Sequence, residues 1–136
     1  MTKSNHPYLA AETKLQVRQI DDDHNELFDR LETLKRHCYD DNVVSQSETD
    51  ALVECLRTHC ANEQRLAEIA GIDFSEHAQI HEKMLKIVTL SVRQIHEGQG
   101  DVFSLIKYIQ LWFERHIHET DASFANELKN RGVTKI

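Results

Sequence analysis

The chain has a single proline, Pro7, and its position constrains the fold more than any other feature. Proline interrupts an α-helix because it lacks a backbone donor and because its ring clashes with the preceding turn. Since Pro7 lies within the first ten of 136 residues, the rest of the chain is free to be helical. Residues 1–18 also contain few paired apolar positions. We therefore expect an N-terminal arm over 1–18 and a helical domain over 19–136.

Beyond the arm, apolar residues recur every three or four positions in four successive segments. This spacing places them on one face of an α-helix and predicts four amphipathic helices. The apolar members of the four stripes are Ile20, Leu27, Phe28, Leu31 and Leu34; Leu52, Leu56 and Leu66; Ile80, Met84, Ile87 and Val88; and Val102, Leu105, Ile106, Ile109, Trp112, Phe113 and Ile117.

Capping residues stand before three of these segments. Ser45 precedes the second segment and Asp73 the third, each with a glutamate three residues later, which is the spacing of a capping box. Asp101 is a candidate N-cap for the fourth segment. Four helices joined by short connections pack well as an all-α, antiparallel up-down-up-down four-helix bundle, and we expect that fold.

Composition excludes several classes of partner. The net charge is −7 and the basic residues are scattered, which argues against binding to nucleic acid or to an anionic membrane. No apolar run approaches the roughly 18–20 residues of a membrane span, and no signal-peptide core is present, so we expect a cytoplasmic protein. Three cysteines without CxxC spacing do not predict a disulfide framework.

Histidines and carboxylates interrupt the apolar stripes at helical spacing. They are His24 on the first segment, His59 and Glu63 on the second, His77 and His81 on the third, and His116 with Asp121 on the fourth.

One histidine on an apolar stripe is usually a satisfied core residue, but five on four consecutive stripes need partners that a bundle core lacks. Imidazole with carboxylate suits zinc, copper, nickel or iron. Seven ligands exceed one tetrahedral zinc, whereas two octahedral ions sharing two bridging carboxylates would use them all. The pattern therefore predicts a dinuclear metal site.

The spacing of the last two ligands requires a local deviation. His116 and Asp121 are five residues apart, which on a regular helix separates them by about 140° in azimuth. Either the fourth helix contains a π-type turn, or Asp121 reaches the site around the helix from the next turn.

Four motifs together resemble the bacterial hemerythrins, over about Ile20 to Gly132. They are Ile20-Asp21-Asp22-Asp23-His24 followed by Glu26-Leu27-Phe28, His59-x-x-x-Glu63, His77-x-x-x-His81, and Trp112-x-x-x-His116-Ile117-x-x-x-Asp121.

The resemblance implies two non-heme iron ions with an oxo or hydroxo bridge. One iron would be held by His77, His81 and His116, the other by His24 and His59, with Glu63 and Asp121 bridging both. The family binds dioxygen at the second iron, in an apolar pocket whose matching positions here are Leu27, Trp112, Phe113 and Ile117.

The sequence departs from the usual family pattern in three places, none of which removes a ligand. Cys60 stands where phenylalanine is usual, beside the expected pocket, and would leave that pocket more open. Asp73-Phe74 replaces the usual Tyr-Pro before the third helix. Asp23 stands where glutamine is common.

The resemblance favours a non-enzymatic protein that binds dioxygen reversibly, as an oxygen- or redox-sensing or oxygen-carrying domain, with a signalling output domain or partner if it senses. The alternative is a di-iron oxidase, peroxidase or nitric oxide reductase. Dedicated di-iron oxidases use Glu-x-x-His pairs, which the inward stripes here lack. A third reading is a bundle whose metal, even zinc, serves folding alone.

Overall fold

The computed structural model describes residue 15, residues 17–38 and residues 44–133, and every regular element within them is helical. The elements in chain order are α1 (Arg18–His37), α2 (Gln46–Ala70), α3 (Ser75–His96), α4 (Val102–His116), a π-helical turn (Ile117–Asp121) and α5 (Ala122–Asn130). Because α4, the turn and α5 follow one another without a break, they form one rod. The described chain thus consists of four helical rods.

The predicted arm lies mostly outside the described residues, but its last part belongs to the core. Leu15 and Val17 are buried, and Arg18 already begins α1. The Leu15 amide donates to Asp21 Oδ1 at 2.8 Å, which ties this segment to the first turns of α1.

Two of the three predicted caps are confirmed. The Ser45 hydroxyl accepts from the Glu48 amide at 3.1 Å while the Glu48 carboxylate accepts from the Ser45 amide at 3.3 Å, so α2 begins with a complete capping box. Asp101 Oδ2 accepts from the Ser104 amide at 2.8 Å and caps α4.

The capping box predicted at Asp73 is wrong. Asp73 Oδ1 accepts from the amide and the hydroxyl of Ser75, at 3.0 and 2.7 Å, two residues further on rather than three. This is a turn stabilised by an aspartate side chain, and α3 starts after it at Ser75.

The core consists of two apolar clusters. Each helix packs against the next one in the chain, and α4 also packs against α1, which closes the ring of helices. The larger cluster includes Leu27, Leu31, Leu52, Leu56, Met84, Val88, Ile109 and Phe113. The smaller one includes Leu15, Val17, Ile20, Leu66, Phe74, Ile117, Phe124 and Leu128.

The predicted stripe of α3 is partly wrong. Ile80 and Ile87 are 37% and 47% exposed, whereas Met84, Val88 and Val92 are buried. A helix in a bundle buries only about 100° of its circumference, and residues one position away from that arc face solvent. Among the helices that the structure describes, none combines the length and the apolarity needed to cross a bilayer.

Replacing Leu56 by alanine should destabilise the protein by about 2–5 kcal/mol, because Leu56 is fully buried in the larger cluster and its loss leaves a cavity. Leu111 is 54% exposed and supplies a matched control, with an expected change below about 0.5 kcal/mol for Leu111→Ala. Urea unfolding of the two variants measures both values. Equal changes would contradict this placement of the core.

Candidate metal centre

A buried polar layer separates the two apolar clusters. Along each helical rod, the buried polar residues lie between a residue of one cluster and a residue of the other. On α1, for example, His24 lies between Ile20 of the smaller cluster and Leu27 of the larger. All seven predicted ligands lie in this layer and are buried: His24, His59, Glu63, His77, His81, His116 and Asp121.

Glu63 lies at the centre of the layer, and its two oxygens face different histidines. Oε1 is 3.1 Å from His77 Nε2 and 3.4 Å from His81 Nε2. Oε2 is 3.1 Å from His59 Nε2 and 3.7 Å from His24 Nε2. The carboxylate therefore spans two histidine groups.

Asp121 divides its contacts in the same way. Oδ1 is 3.0 Å from both His77 Nε2 and His116 Nε2, whereas Oδ2 is 2.9 Å from His24 Nε2. One group thus contains three histidines and the other contains two, with the same pair of carboxylates between them. Within each group the ligand atoms lie within 4.8 Å of one another.

The polar atoms of the layer satisfy each other only in part, as in the hydrogen bond of 2.9 Å between His24 Nε2 and Asp121 Oδ2. Both oxygens of Glu63, one oxygen of Asp121 and the Nε2 atoms of His59 and His77 are buried without a hydrogen-bond partner among the described residues, although their contacts are short. The Nε2 atoms of His81 and His116 also face each other at 3.2 Å. Buried unpaired polar atoms cost about 1–3 kcal/mol each, and lone pairs that converge on one point are what a cation needs. The layer can therefore hold metal.

The pKa values show how the layer is charged without metal. Burial alone would raise the pKa of Glu63, but the surrounding imidazoles hold it well below the usual range, and that of Asp121 is lowered by its histidine contacts as well. Burial lowers the pKa of His81 to about 3, so this imidazole is neutral and can donate a lone pair. Burial also opposes charge on His77, but the two carboxylates outweigh it and raise its pKa to about 9.

A π-helical turn brings Asp121 to the site. The amide of Ala122 donates to the carbonyl of Ile117, five residues back, and Asp121 is fully buried. Of the two alternatives for the fourth helix, the π-type turn is confirmed. Single π turns of this kind often occur at functional sites, because the extra residue re-aims a side chain without ending the helix.

The predicted pocket residues lie on different sides of the layer. The Phe113 ring approaches His59 edge-on at a centroid distance of 5.5 Å and His24 at 6.3 Å, and Leu27 is fully buried in the same cluster as Phe113. Trp112 instead stacks on His116 at 4.4 Å, beside the three-histidine group.

Ile117 packs in the smaller cluster, so Leu27 and Phe113 are the pocket candidates on the two-histidine side. Cys60 is half-buried against the larger cluster, and burial raises the pKa of its thiol to about 12. Cys60 belongs to neither of the two groups whose ligand atoms converge.

Sequence reasoning missed two groups around the site. Phe74 stacks on His77 at 4.4 Å, and Phe124 lies 5.3 Å from the same ring. Asp23, Asn62 and Gln19 form a polar network behind His59. Only the adjacency of Asp23 to His24 and of Asn62 to Glu63 could have indicated this network from sequence. His37, His96 and His118 are exposed and lie outside the layer.

Comparison with protein-family models, with curated proteins and with solved structures finds no match to this chain. The assignment of the site therefore depends on the chain's own residues and on their geometry.

The metal-free protein should lose stability as the pH rises from about 6.5 to about 9. His77 has a usual pKa of 6.5 and a raised pKa of about 9 in the folded protein, so its stabilising proton is held below 6.5 and lost as the pH passes 9. The free energy of unfolding should fall by at most about 3 kcal/mol over this pH range. Denaturant unfolding at several pH values, with His77→Gln as control, measures it. An equal pH dependence in the variant would contradict the assignment to His77.

Deleting residues from the π turn tests whether the metal site depends on the direction in which Asp121 points or on the length of the turn. Removing the exposed His118 leaves His116 and Asp121 four residues apart, which on a regular α-helix keeps them within about 40° of each other. We expect this deletion to keep the metal sites. Removing Glu119 and Thr120 as well leaves His116 and Asp121 two residues apart, about 200° around a regular helix, and should abolish one bridge. Metal content after gel filtration, with circular dichroism for helicity, compares the two; loss of metal from the single deletion would contradict the phase argument.

Proposed function

We propose that the chain binds two iron ions and, through them, binds dioxygen reversibly, as an oxygen- or redox-sensing or oxygen-carrying domain of the hemerythrin kind. The observation that carries this proposal is that Glu63 and Asp121 each contact both groups of histidines. Each carboxylate places one oxygen against a three-histidine group and the other against a two-histidine group. A pair of bridging carboxylates requires this arrangement, and a single ion would leave two histidines without a purpose.

The number of ligands favours octahedral ions over tetrahedral zinc, and the resemblance to the bacterial hemerythrins implies that these ions are iron. Five neutral imidazoles with two carboxylates suit a borderline divalent ion, and octahedral ions use more ligands than tetrahedral zinc. A pair of iron ions held by these residues would supply the reversible two-electron chemistry that dioxygen binding needs. The protein's part is to hold the ions, to keep one position open and to exclude water.

The difference between the two groups supports an open position at one end. The three-histidine group offers five protein ligands when the shared carboxylates are counted, whereas the two-histidine group offers four. Phe113 lies against both histidines of the smaller group, and Leu27 packs in the same cluster. An apolar wall at that position admits a small uncharged molecule and disfavours water and anions.

The antiparallel order of the helices is part of this proposal, and contacts at the end opposite the site support it. His37, the last residue of α1, lies 2.6 Å from Glu48 at the start of α2. Thr49, also at the start of α2, lies 2.8 Å from His96, the last residue of α3. In each pair the end of one helix meets the start of its neighbour, as an up-down arrangement requires.

Metal analysis and visible spectroscopy test the function. The protein, reconstituted with ferrous iron without air, should contain two ions per chain, and exposure to air should produce a charge-transfer band that disappears when oxygen is removed. Turnover of an added reductant or peroxide would indicate the alternative, a di-iron oxidase, peroxidase or nitric oxide reductase. Tight zinc binding without iron binding would indicate a metal with a role in folding alone.

Glu63→Gln should reduce the bound iron to one ion or none, because the amide keeps the shape but cannot bridge two cations. The stabilisation by iron should also shrink, because the free energy of metal binding adds to the free energy of folding and the variant has lost a shared ligand. Glu68→Gln makes the same change on an exposed position of α2 and should keep two ions. Iron stoichiometry and the shift of the melting midpoint on loading measure both variants; full loading of Glu63→Gln would contradict the bridging role.

A further inference from the structure

A carboxylate outside the seven predicted ligands lies behind one of the histidines. Asp23 is buried on α1, and both of its oxygens are engaged by amide side chains. Gln19 Nε2 donates to Oδ1 at 2.9 Å, and Asn62 Nδ2 donates to Oδ2 at 3.0 Å. These two bonds, one from α1 and one from α2, fix the plane of the carboxylate. Oδ2 then lies 3.8 Å from Nδ1 of His59.

His59 needs a hydrogen-bond acceptor at its Nδ1 atom. Its Nε2 faces Glu63 Oε2 at 3.1 Å and points into the polar layer, so Nε2 is the atom available to a metal. An imidazole that binds through Nε2 carries its proton on Nδ1 and must donate it. Nδ1 of His59 is buried and has no hydrogen-bond partner in the part of the chain that the structure describes. Asp23 Oδ2 needs to approach by less than about 1 Å to become that partner.

The other histidines lack such a carboxylate. Nδ1 of His24 and Nδ1 of His81 are also buried without a hydrogen bond, but the ion pairs of the described residues bring no carboxylate oxygen within 4.0 Å of either atom. The arrangement is therefore specific to His59, which belongs to the two-histidine group, the one with fewer ligands.

We propose that Asp23 is a positioning residue that accepts the Nδ1 proton of His59 and holds Nε2 toward the two-histidine position, and so sets the metal affinity of that position. The inference depends on the proposed function to the extent that the layer holds metal. Gln19 and Asn62 hold the carboxylate in place, and the carboxylate holds the ring.

The surroundings of Asp23 allow a clean test. Asp23 and His59 line a pocket of about 320 Å³ between α1 and α2, together with Glu26 and Arg30. Because asparagine has the size and shape of aspartate, Asp23→Asn removes the charge without creating a cavity. Asp29 lies on the same helix in an exposed position, and Asp29→Asn provides the matched control.

Cobalt(II) serves as the probe, because its binding is visible by absorption and can be measured in competition with a chelator. The two binding steps are assigned with His24→Ala, which affects the two-histidine position, and His81→Ala, which affects the other. Asp23→Asn should weaken the two-histidine step by about 10–100-fold and leave the other step unchanged. The metal-free protein should lose a little stability in this variant, because the asparagine N–H₂ group replaces one of the two oxygens that accept from Gln19 and Asn62. Asp23→Glu, which keeps a carboxylate, should recover part of the loss, and Asp29→Asn should match the original chain.

Nuclear magnetic resonance of the zinc-loaded protein gives a second readout. The Nδ1 proton of His59 should be observable and strongly shifted downfield in the original chain, and it should move upfield in Asp23→Asn. Unchanged affinity at both steps with an unmoved proton would overturn the inference and leave the proposed function intact. Equal weakening of both steps with a lower midpoint of the metal-free protein would also overturn it, since that result indicates a structural role. Absence of metal binding in the original chain would overturn the function and the inference together.

Discussion

The burial of Glu63 and Asp121 side by side in an otherwise apolar core is the constraint on which the rest of the structure depends. Two carboxylates this close, each fully buried, repel one another and lose their hydration, so they need positive charge at short range. In the metal-free chain the imidazoles supply it, which is why the pKa of His77 rises while that of each carboxylate falls. Metal ions at the same positions would supply more positive charge and would displace the imidazole protons.

The same constraint explains where the layer lies along the bundle. Apolar clusters on both sides exclude water from it, which strengthens every electrostatic contact inside and also raises the cost of leaving a donor unpaired. The π turn contributes to the same arrangement. It adds one residue between His116 and Asp121 and so brings the second carboxylate inward, while α5 continues with Phe124 and Leu128 still facing the smaller cluster.

The helices and six of the seven inward residues could be predicted from sequence because they follow from periodicity, which a single chain displays directly. Asp121 is the exception, since its spacing from His116 fits the site only through the π turn. The capping box at Ser45 has the same local origin. The features that could not be predicted depend on how each helix is rotated about its own axis when it packs against its neighbours. Ile80 and Ile87 fit a helical stripe as well as Val88 does, and only packing decides which of them is buried. The contact of Asp23 with His59 joins two helices, and no spacing within one helix encodes it.

The three-histidine end and the two-histidine end of the layer differ both in the number of ligands and in the side chains that surround their imidazoles. The three-histidine end is crowded by aromatic rings, with Phe74 on His77 and Trp112 on His116, and these stacked contacts fix its imidazoles from outside. The two-histidine end has fewer ligands and the edge of Phe113, but His59 there is backed by a polar network rather than by a stacked ring. A position with fewer protein ligands holds its ion less firmly, so the orientation of each remaining ligand matters more. In the role that we propose for Asp23, a carboxylate behind His59 would stiffen this weaker end without occupying the open position.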